Sequence, residues 1–255
     1  MSRRDTTRGR FYDVGQRQLP SVTSILSVIS KPALIAWSAK VEREMVIAEA
    51  AELHERLKEP LSGATFALRL QTALSDEKAH KKLLRKAGEV GSQVHSLIEW
   101  GLKAELLQKV GPSPEIGPQA QMAYAGYQRW RQSVKLKPIW VERTVWSEYY
   151  GYAGTADLLA EVNGEETLID WKSGKSVYPE AHLQNAAYRQ CVWEMEIGRP
   201  MKGMIVRLPK TADDPEFEVV EVAQDSSELM KVFTHAMQLW KWQQDTTKFF
   251  EEVRV

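Results

Sequence analysis

The chain has 255 residues, of which 43% are hydrophobic and 27% charged, and its formal net charge at pH 7 is zero. This length supports one large domain or two small ones, with a core that needs no disulfides. The single cysteine, Cys191, excludes a disulfide framework, a cysteine-only zinc site and a four-cysteine iron–sulfur cluster. No apolar run approaches the length of a transmembrane helix, and the basic N-terminus lacks a signal sequence's apolar stretch. We therefore expect a cytoplasmic protein without a membrane partner.

The neutral total hides an uneven distribution of charge. Residues 1–140 contain 22 Lys and Arg against 14 Asp and Glu, whereas residues 141–255 contain 12 against 20. Such asymmetry indicates an anionic partner for the basic half and leaves the acidic half available for a metal ion. Solvated surface charge gives the same pattern in many proteins, so the distribution alone leaves both interpretations open.

Helical patterns dominate the first half of the chain. Four helices are predicted. The first starts after Ser21 and the second at Pro32, the third spans 75–108 with a break near Gly88 and Gly91, and the fourth spans 119–134. We expect residues 1–85 to form a helical N-terminal region.

Beyond Pro138 the pattern changes to short β-rich runs bounded by turn residues. Strands are predicted at 140–148, 151–162, 166–174, 202–209 and 217–222, and helices at 179–195 and 226–247. This order predicts an α/β (α+β) domain over residues 86–255, with a mixed central sheet flanked by helices.

The most informative local signal is Asn163-Gly164 between two strand-like runs. A two-residue Asn-Gly loop favours a type I′ hairpin turn, which fixes the register of the two strands. In that register Asp157 lies opposite Asp170, and opposed residues project to one face with Cβ atoms about 4.5–5.5 Å apart. Lys172 shares this face because side chains alternate along a strand. The hairpin therefore predicts two carboxylates and an ammonium group in one patch.

Two chemical interpretations of this patch are open. Neighbouring carboxylates repel each other, and a hard divalent ion such as Mg²⁺ or Mn²⁺, which prefers oxygen ligands, would remove that conflict. Lys172 would then hold an attacking water or stabilise negative charge on a phosphate. The same spacing fits a surface cluster of Asp–Lys salt bridges equally well, since opposite charges across a hairpin are ordinary stabilisers.

Four motifs in chain order resemble the catalytic blocks of the PD-(D/E)XK nuclease superfamily, and more narrowly its RecB-like branch. They are Gly91-Ser92-Gln93-Val94-His95, Gly154-Thr155-Ala156-Asp157, Ile169-Asp170-Trp171-Lys172-Ser173-Gly174 and Gln184-Asn185-Ala186-Ala187-Tyr188. They match the patterns GxxxH, GxxD, DxK followed by a small residue and Gly, and QxxxY. The segments at 19–26 and 31–37 are similar to phage RecB-like exonucleases and the mitochondrial genome maintenance exonuclease.

The resemblance implies a restriction-endonuclease-like core and a metal-dependent phosphodiesterase. Asp157 and Asp170 would bind Mg²⁺ or Mn²⁺ together with the backbone carbonyl of Trp171, with His95 as a further ligand. Lys172 would orient or activate the attacking water. The remaining matches are Gln184 and Tyr188, which would support the site and the DNA backbone, and Glu142, placed like an acidic residue on the first core strand of several relatives. Exposed strand glutamates are common, so Glu142 also fits a purely structural position.

Candidate DNA contacts lie in the basic half of the chain. They are Lys78, Lys81, Lys82 and Arg85 at helical spacing before the His95 motif, and an N-terminal arm with Arg3, Arg4, Arg8 and Arg10. Phosphate contacts of this kind give salt-dependent binding without sequence specificity. A solvated helix face has the same pattern. We expect the helical region of residues 1–85 to guide DNA by arching over the catalytic face, which would restrict entry to a single strand.

We therefore expect a metal-dependent DNA exonuclease that acts on single strands or DNA ends in replication, recombination or repair. The alternatives are a structure-selective endonuclease and a module that binds DNA ends without cutting. No Walker A motif is present, so ATP is not expected as a cofactor. The single cysteine likewise excludes an iron–sulfur cluster with four cysteine ligands. A recombinase or a single-strand-binding protein is a candidate partner, and the cytosol of a bacterium or a phage-infected host the expected compartment.

Overall fold

The computed structural model describes residues 2–57, 61–74, 78–196, 201–214, 216–223 and 225–253, and of residues 196 and 248–253 the backbone alone. Two compact units are present: Met1–Ile29 with Val90–Val255, and Ser30–Glu89. We had expected a division near residue 85, but the first 29 residues join the larger unit. None of the helices in the described ranges combines the length and apolarity that crossing a membrane requires.

A five-stranded mixed sheet with the order β4-β5-β6-β7-β8 forms the centre of the larger unit. Its strands are β4 (Leu136–Ser147), β5 (Tyr152–Val162), β6 (Glu165–Lys172), β7 (Lys202–Arg207) and β8 (Glu218–Val222). Only β6 and β7 pair in parallel in this sheet of the described chain. A parallel pair needs a crossover connection, which helix α6 (Pro179–Glu196) supplies. The mixed sheet flanked by helices is thus confirmed.

Helices cover both faces of this sheet. Helix α1 (Val22–Leu26), α6 and α7 (Ser227–Val253) cover one face, and the opposite face is covered by the later part of α4 (Ala79–Glu105) and by α5 (Pro118–Ser133). Leu159 belongs to the first core and its neighbour Leu158 to the second, because successive strand residues point to opposite faces. The sheet is therefore buried on both sides.

The β5–β6 hairpin has the predicted turn and register. Asn163 and Gly164 both have positive φ angles, 52° and 94°, as a type I′ turn requires. Backbone pairing runs from Val162 opposite Glu165 to Leu158 opposite Ile169. The next pair in that register is Asp157 and Asp170. The turn residues therefore place the two carboxylates at the point where the paired part of the hairpin ends.

The N-terminal residues form strands rather than the expected helical region. Strands β1 (Ser2–Thr6), β2 (Gly9–Val14) and β3 (Arg17–Pro20) make an antiparallel sheet within the larger unit. Glycines 9 and 15 allow the tight turns, with φ angles of 119° and 58°. Arg4 pairs with Asp13 at 2.9 Å, so at least one arginine of the predicted DNA-binding arm is engaged within this sheet.

The smaller unit is helical. It contains α2 (Pro32–Arg56), α3 (Gly63–Ala73) and the first part of α4. Helices α2 and α3 bury no residue, and His80 Nδ1 at the start of α4 lies 2.6 Å from Glu42 Oε1 on α2. Helix α4 continues through Gly88 and Gly91, where the sequence predicted a break. The weak helix propensity of glycine, about 1 kcal/mol per residue relative to alanine, does not interrupt this helix.

Candidate active site

The two aspartates lie side by side where β5 and β6 separate. Asp157 is 9% exposed and Asp170 2%. The Trp171 amide donates a hydrogen bond to Asp157 Oδ2 at 2.8 Å, so a side chain replaces the backbone acceptor that a continuing ladder would provide. Asp170 Oδ1 is buried and accepts no hydrogen bond from the described residues. A buried carboxylate oxygen without a donor is costly unless a cation compensates it.

Lys172 joins the aspartates to helix α6. Its Nζ lies 2.5 Å from Asp170 Oδ2 and donates a hydrogen bond to Gln184 Oε1 at 3.0 Å. The amide nitrogen of Gln184 in turn donates to the Tyr188 hydroxyl at 3.3 Å. The i, i+4 spacing of Gln184 and Tyr188 puts both on the helix face toward the sheet. The structure therefore brings together Asp157, Asp170, Lys172, Gln184 and Tyr188.

His95 and Glu142 lie close to Asp157. His95 Nδ1 is 3.7 Å from Asp157 Oδ2 and 3.9 Å from Glu142 Oε1. One donor atom from each of these three residues lies within 4.8 Å of the others, a spacing that a single metal ion can bridge. Asp170 is not a member of this trio, because its Oδ2 faces Lys172. The role of the Trp171 carbonyl stays a prediction from the sequence.

Glu142 lies beside His95 and Asp157, closer to the candidate site than the sequence alone indicates. A bulge between Pro138 and Trp140 sets the register of β4 against β5, and that register places Glu142 across from Asp157. The backbone at Glu142 has a φ angle of +48°, which costs a non-glycine residue about 1–3 kcal/mol. Strain of this kind is retained where the surrounding structure fixes a side chain for use. No local sequence signal announces the bulge.

Burial and the neighbouring charges shift the pKa values of the ionisable groups in this cluster. Burial alone would lower the pKa of His95, but the carboxylates of Asp157 and Glu142 raise it to about 9. Burial raises the pKa of Asp170 to about 6, against the opposing effect of Lys172. Burial also disfavours the charged form of Lys172, yet Asp170 and Asp157 raise its pKa above the ordinary lysine value. Lys172 is therefore a cation at neutral pH, and His95 carries a proton when no metal is bound.

Two glycines of the motifs permit close approach at the site. A Cβ atom added to Gly154 would lie 2.9 Å from the Tyr188 hydroxyl oxygen and 3.0 Å from Tyr188 Cζ. A Cβ atom added to Gly91 would lie 2.9 Å from Ser173 Oγ. Real Cβ contacts are longer than these distances. Close packing against Tyr188 and Ser173 therefore explains why the GxxD and GxxxH motifs begin with glycine.

The predicted DNA-contacting side chains of the smaller unit are exposed. They are Lys78, Lys81, Lys82 and Arg85, and Arg85 also lies 3.0 Å from Glu89. They belong to the smaller unit, whereas the aspartates belong to the larger one. Their part in DNA binding stays a prediction.

Comparison with known protein families identifies the superfamily of the chain. The profile of the PD-(D/E)XK nuclease superfamily matches residues 63–252. The chain belongs to the PD-(D/E)XK nuclease superfamily. Membership in this nuclease superfamily supports a nuclease function for the chain. No curated protein sequence matches the chain.

Two solved structures resemble this PD-(D/E)XK chain at low sequence identity. One is a candidate exonuclease from Eubacterium rectale, with 17% identity and a TM-score of 0.41 over 68% of this chain and 70% of that one. The other is an alkaline exonuclease from Laribacter hongkongensis, with 12% identity and a TM-score of 0.35 over 71% of this chain and 90% of that one.

Two of the three glycines of α4, Gly88 and Gly91, give a matched test of the packing at this PD-(D/E)XK site. We expect Gly91→Ala to lower nuclease activity by about tenfold, because its methyl group displaces Ser173 next to Lys172. The Cβ atom added in Gly88→Ala has nothing within 4 Å of it. Because alanine favours the helix more than glycine does, this variant should raise the free energy of unfolding by about 0.5–1 kcal/mol without loss of activity. Urea unfolding and cleavage rates check both predictions.

The double variant Gly91→Ala/Ser173→Ala should recover activity. A Gly91→Ala protein that behaves like Gly88→Ala would contradict the role of the contact between Gly91 and Ser173.

Metal binding should release a proton from His95. Because the pKa of His95 is about 9 in the metal-free protein, the imidazole is protonated at pH 7 and must become neutral to bind an ion. We expect about one proton to be released per Mn²⁺ ion at pH 7, and affinity to rise as pH rises toward 9. Calorimetry in two buffers of different ionisation enthalpy measures this release. His95→Asn should abolish most of it, and equal release from that variant would show that another group supplies the proton.

Proposed function

We propose that the protein is a metal-dependent DNA exonuclease that hydrolyses phosphodiester bonds at single-stranded DNA or DNA ends. The observation that supports this best is the placement of the Lys172 ammonium against Asp170, beside the trio of His95, Glu142 and Asp157. A salt-bridge cluster on a solvated surface would not bury two aspartates to 9% and 2% exposure. This burial favours the chemical interpretation of the hairpin over the purely stabilising one.

The donor set fits a divalent cation such as Mg²⁺ or Mn²⁺. Asp157 and Glu142 offer carboxylate oxygens, His95 offers Nδ1, and Asp170 Oδ1 is buried without a donor. Hard cations prefer such oxygen ligands, and the imidazole makes Mn²⁺ as acceptable as Mg²⁺. When bound there, the ion would act as a Lewis acid on a phosphate oxygen and compensate the clustered negative charge.

The protein's own groups prepare the reaction in defined ways. Lys172 stays protonated beside Asp170, so it donates hydrogen bonds to the attacking water or to a phosphate oxygen and does not act as a base. Gln184 accepts a hydrogen bond from Lys172 Nζ and limits the positions this ammonium can take. Tyr188 keeps its proton, because burial raises its pKa well above the ordinary value, and its hydroxyl accepts from Gln184. This chain of contacts holds the ammonium ready before substrate binds.

The decisive experiment follows end-labelled DNA in time. We expect purified protein to degrade linear single strands or DNA ends with Mg²⁺ or Mn²⁺ and to stop when EDTA is added. Circular single-stranded DNA should stay intact, since an exonuclease needs an end. Cutting of the circle would establish the structure-selective endonuclease instead. Binding of DNA without turnover in either metal, equal for wild type and Lys172→Ala, would establish a module that does not cleave.

The wider setting follows from the same proposal. DNA is the substrate and the basic side chains before the His95 motif are its candidate phosphate contacts, which salt titration of DNA affinity would test. A role in replication, recombination or repair, with a recombinase or single-strand-binding protein as partner in a bacterial or phage-infected cytosol, is consistent with a nuclease that acts on ends.

A further inference from the structure

An open groove of about 840 Å³ lies in the larger unit beside the C-terminal part of α6. Its described lining includes the aromatic residues Trp146, Tyr149, Tyr150 and Trp193 and the acidic residues Glu148 and Glu194. The side chains of Tyr149 and Trp193 are 83% and 52% exposed. A cluster of exposed aromatic side chains is typical of a binding surface, because Trp and Tyr are enriched among the residues that dominate binding energy at protein interfaces.

The carboxylate of Glu194 is held in place by several donors. The Ser147 hydroxyl and the Gln190 amide donate to its Oε1 at 2.8 and 3.0 Å, and the Tyr149 backbone amide donates to Oε2 at 3.4 Å. The Trp146 indole NH lies 3.5 Å from Glu148 Oε1. A carboxylate fixed before binding loses little conformational freedom when a ligand arrives. The groove therefore presents a preorganised negative charge among aromatic rings.

The negative charge of the groove favours a positively charged partner. None of the described residues that line it is a lysine or an arginine. Two carboxylates beside exposed aromatic rings repel a DNA backbone, and they attract cations that also stack on the rings. Arginine and lysine side chains meet both conditions, and an apolar neighbour would cover the remaining aromatic surface.

We propose that this groove docks a segment of a partner protein that presents a lysine or arginine next to an apolar residue. The inference does not depend on the proposed nuclease function. Glu194 lies six residues beyond Tyr188 on the same helix, a distance of about 9 Å along its axis, and neither aspartate of the candidate site lines the groove. The groove thus fits an attachment site that localises the protein, separate from its chemistry.

The test selects short random peptides, displayed on phage, on the full chain. We expect the enriched peptides to carry Arg or Lys beside an apolar residue. Fluorescence anisotropy should then show affinity weakened by about tenfold or more in Trp193→Ala and in Glu194→Gln. Trp242→Ala is the matched control, because Trp242 is also exposed, at 61%, but lies on α7 outside the described lining of the groove. Circular dichroism checks the fold of each variant, and DNA cleavage or DNA binding should be unchanged.

Several results would overturn the proposal. Enriched peptides that are acidic, or that bind both variants as tightly as wild type, would show that the groove is not their site. A single-stranded oligonucleotide whose binding is lost in Trp193→Ala would identify a nucleic-acid surface. A dimer in sedimentation that Trp193→Ala dissociates would show that a second copy of this chain covers the groove.

Discussion

Replacing Asp170 with asparagine is expected to lower DNA cleavage by about a hundred- to a thousandfold, the range seen when a group that stabilises the reacting atoms is removed. The change keeps the shape of the side chain but removes the charge that faces Lys172 Nζ at 2.5 Å and one candidate metal ligand. Thermal stability should stay the same or rise, because burial already penalises the ionised carboxylate and its Oδ1 has no donor among the described residues. Cleavage rates and a thermal melt measure the two effects.

The matched control is Asp213→Asn, which changes the same residue type at an exposed position. It should cleave DNA at the wild-type rate. If Asp170→Asn unfolds the protein, the loss of activity would say nothing of chemistry, so near-native melting is part of the expected result. A folded Asp170→Asn protein with more than about a tenth of wild-type activity would remove Asp170 from the catalytic set.

Replacing Gly154 with alanine is expected to damage both the fold and the site. The added methyl group would press on the Tyr188 ring, which is buried between α6 and the sheet. Overpacking of this kind costs about 1–3 kcal/mol of folding free energy. Because Tyr188 supports Gln184, and Gln184 positions Lys172, we also expect cleavage to fall by about a hundredfold.

Urea unfolding and cleavage rates measure these changes. Gly111→Ala serves as the control, since nothing lies within 4 Å of the Cβ it would add. Tyr188→Phe separates the two effects: it keeps the ring but removes the hydroxyl that accepts from Gln184, so it should lose activity with a smaller loss of stability. Gly154→Ala with wild-type stability and rate would show that the ring moves aside freely.

The parts of the site that short-range chemistry dictates could be predicted from the sequence. A type I′ turn requires positive φ angles at two residues, which Asn163 and Gly164 tolerate, and this turn sets the register that places Asp157 against Asp170. The i, i+4 spacing of Gln184 and Tyr188 likewise fixed their common helix face. The sheet order and the crossover by α6 agree with the alternation of strands and helices in the chain.

Long-range packing decided what the sequence could not show. The approach of Glu142 depends on a bulge three residues earlier in the strand, and a bulge leaves no clear local pattern. Gly91 was interpreted as a helix break from its propensity, whereas contact with Ser173 explains it. The strands β1 to β3 are short and carry many charges, so their pattern is weaker than that of the core strands.

One carboxylate oxygen of Asp157 accepts the hydrogen bond from the Trp171 amide and also faces the candidate metal-binding side chain of His95. At that point the hairpin's continuity relies on a side-chain oxygen of the same carboxylate that faces His95. An ion drawn to that oxygen would compete with a main-chain donor for its lone pairs. Under the proposed function, replacing the aspartate at position 157 would therefore loosen the hairpin and remove a metal ligand in the same step.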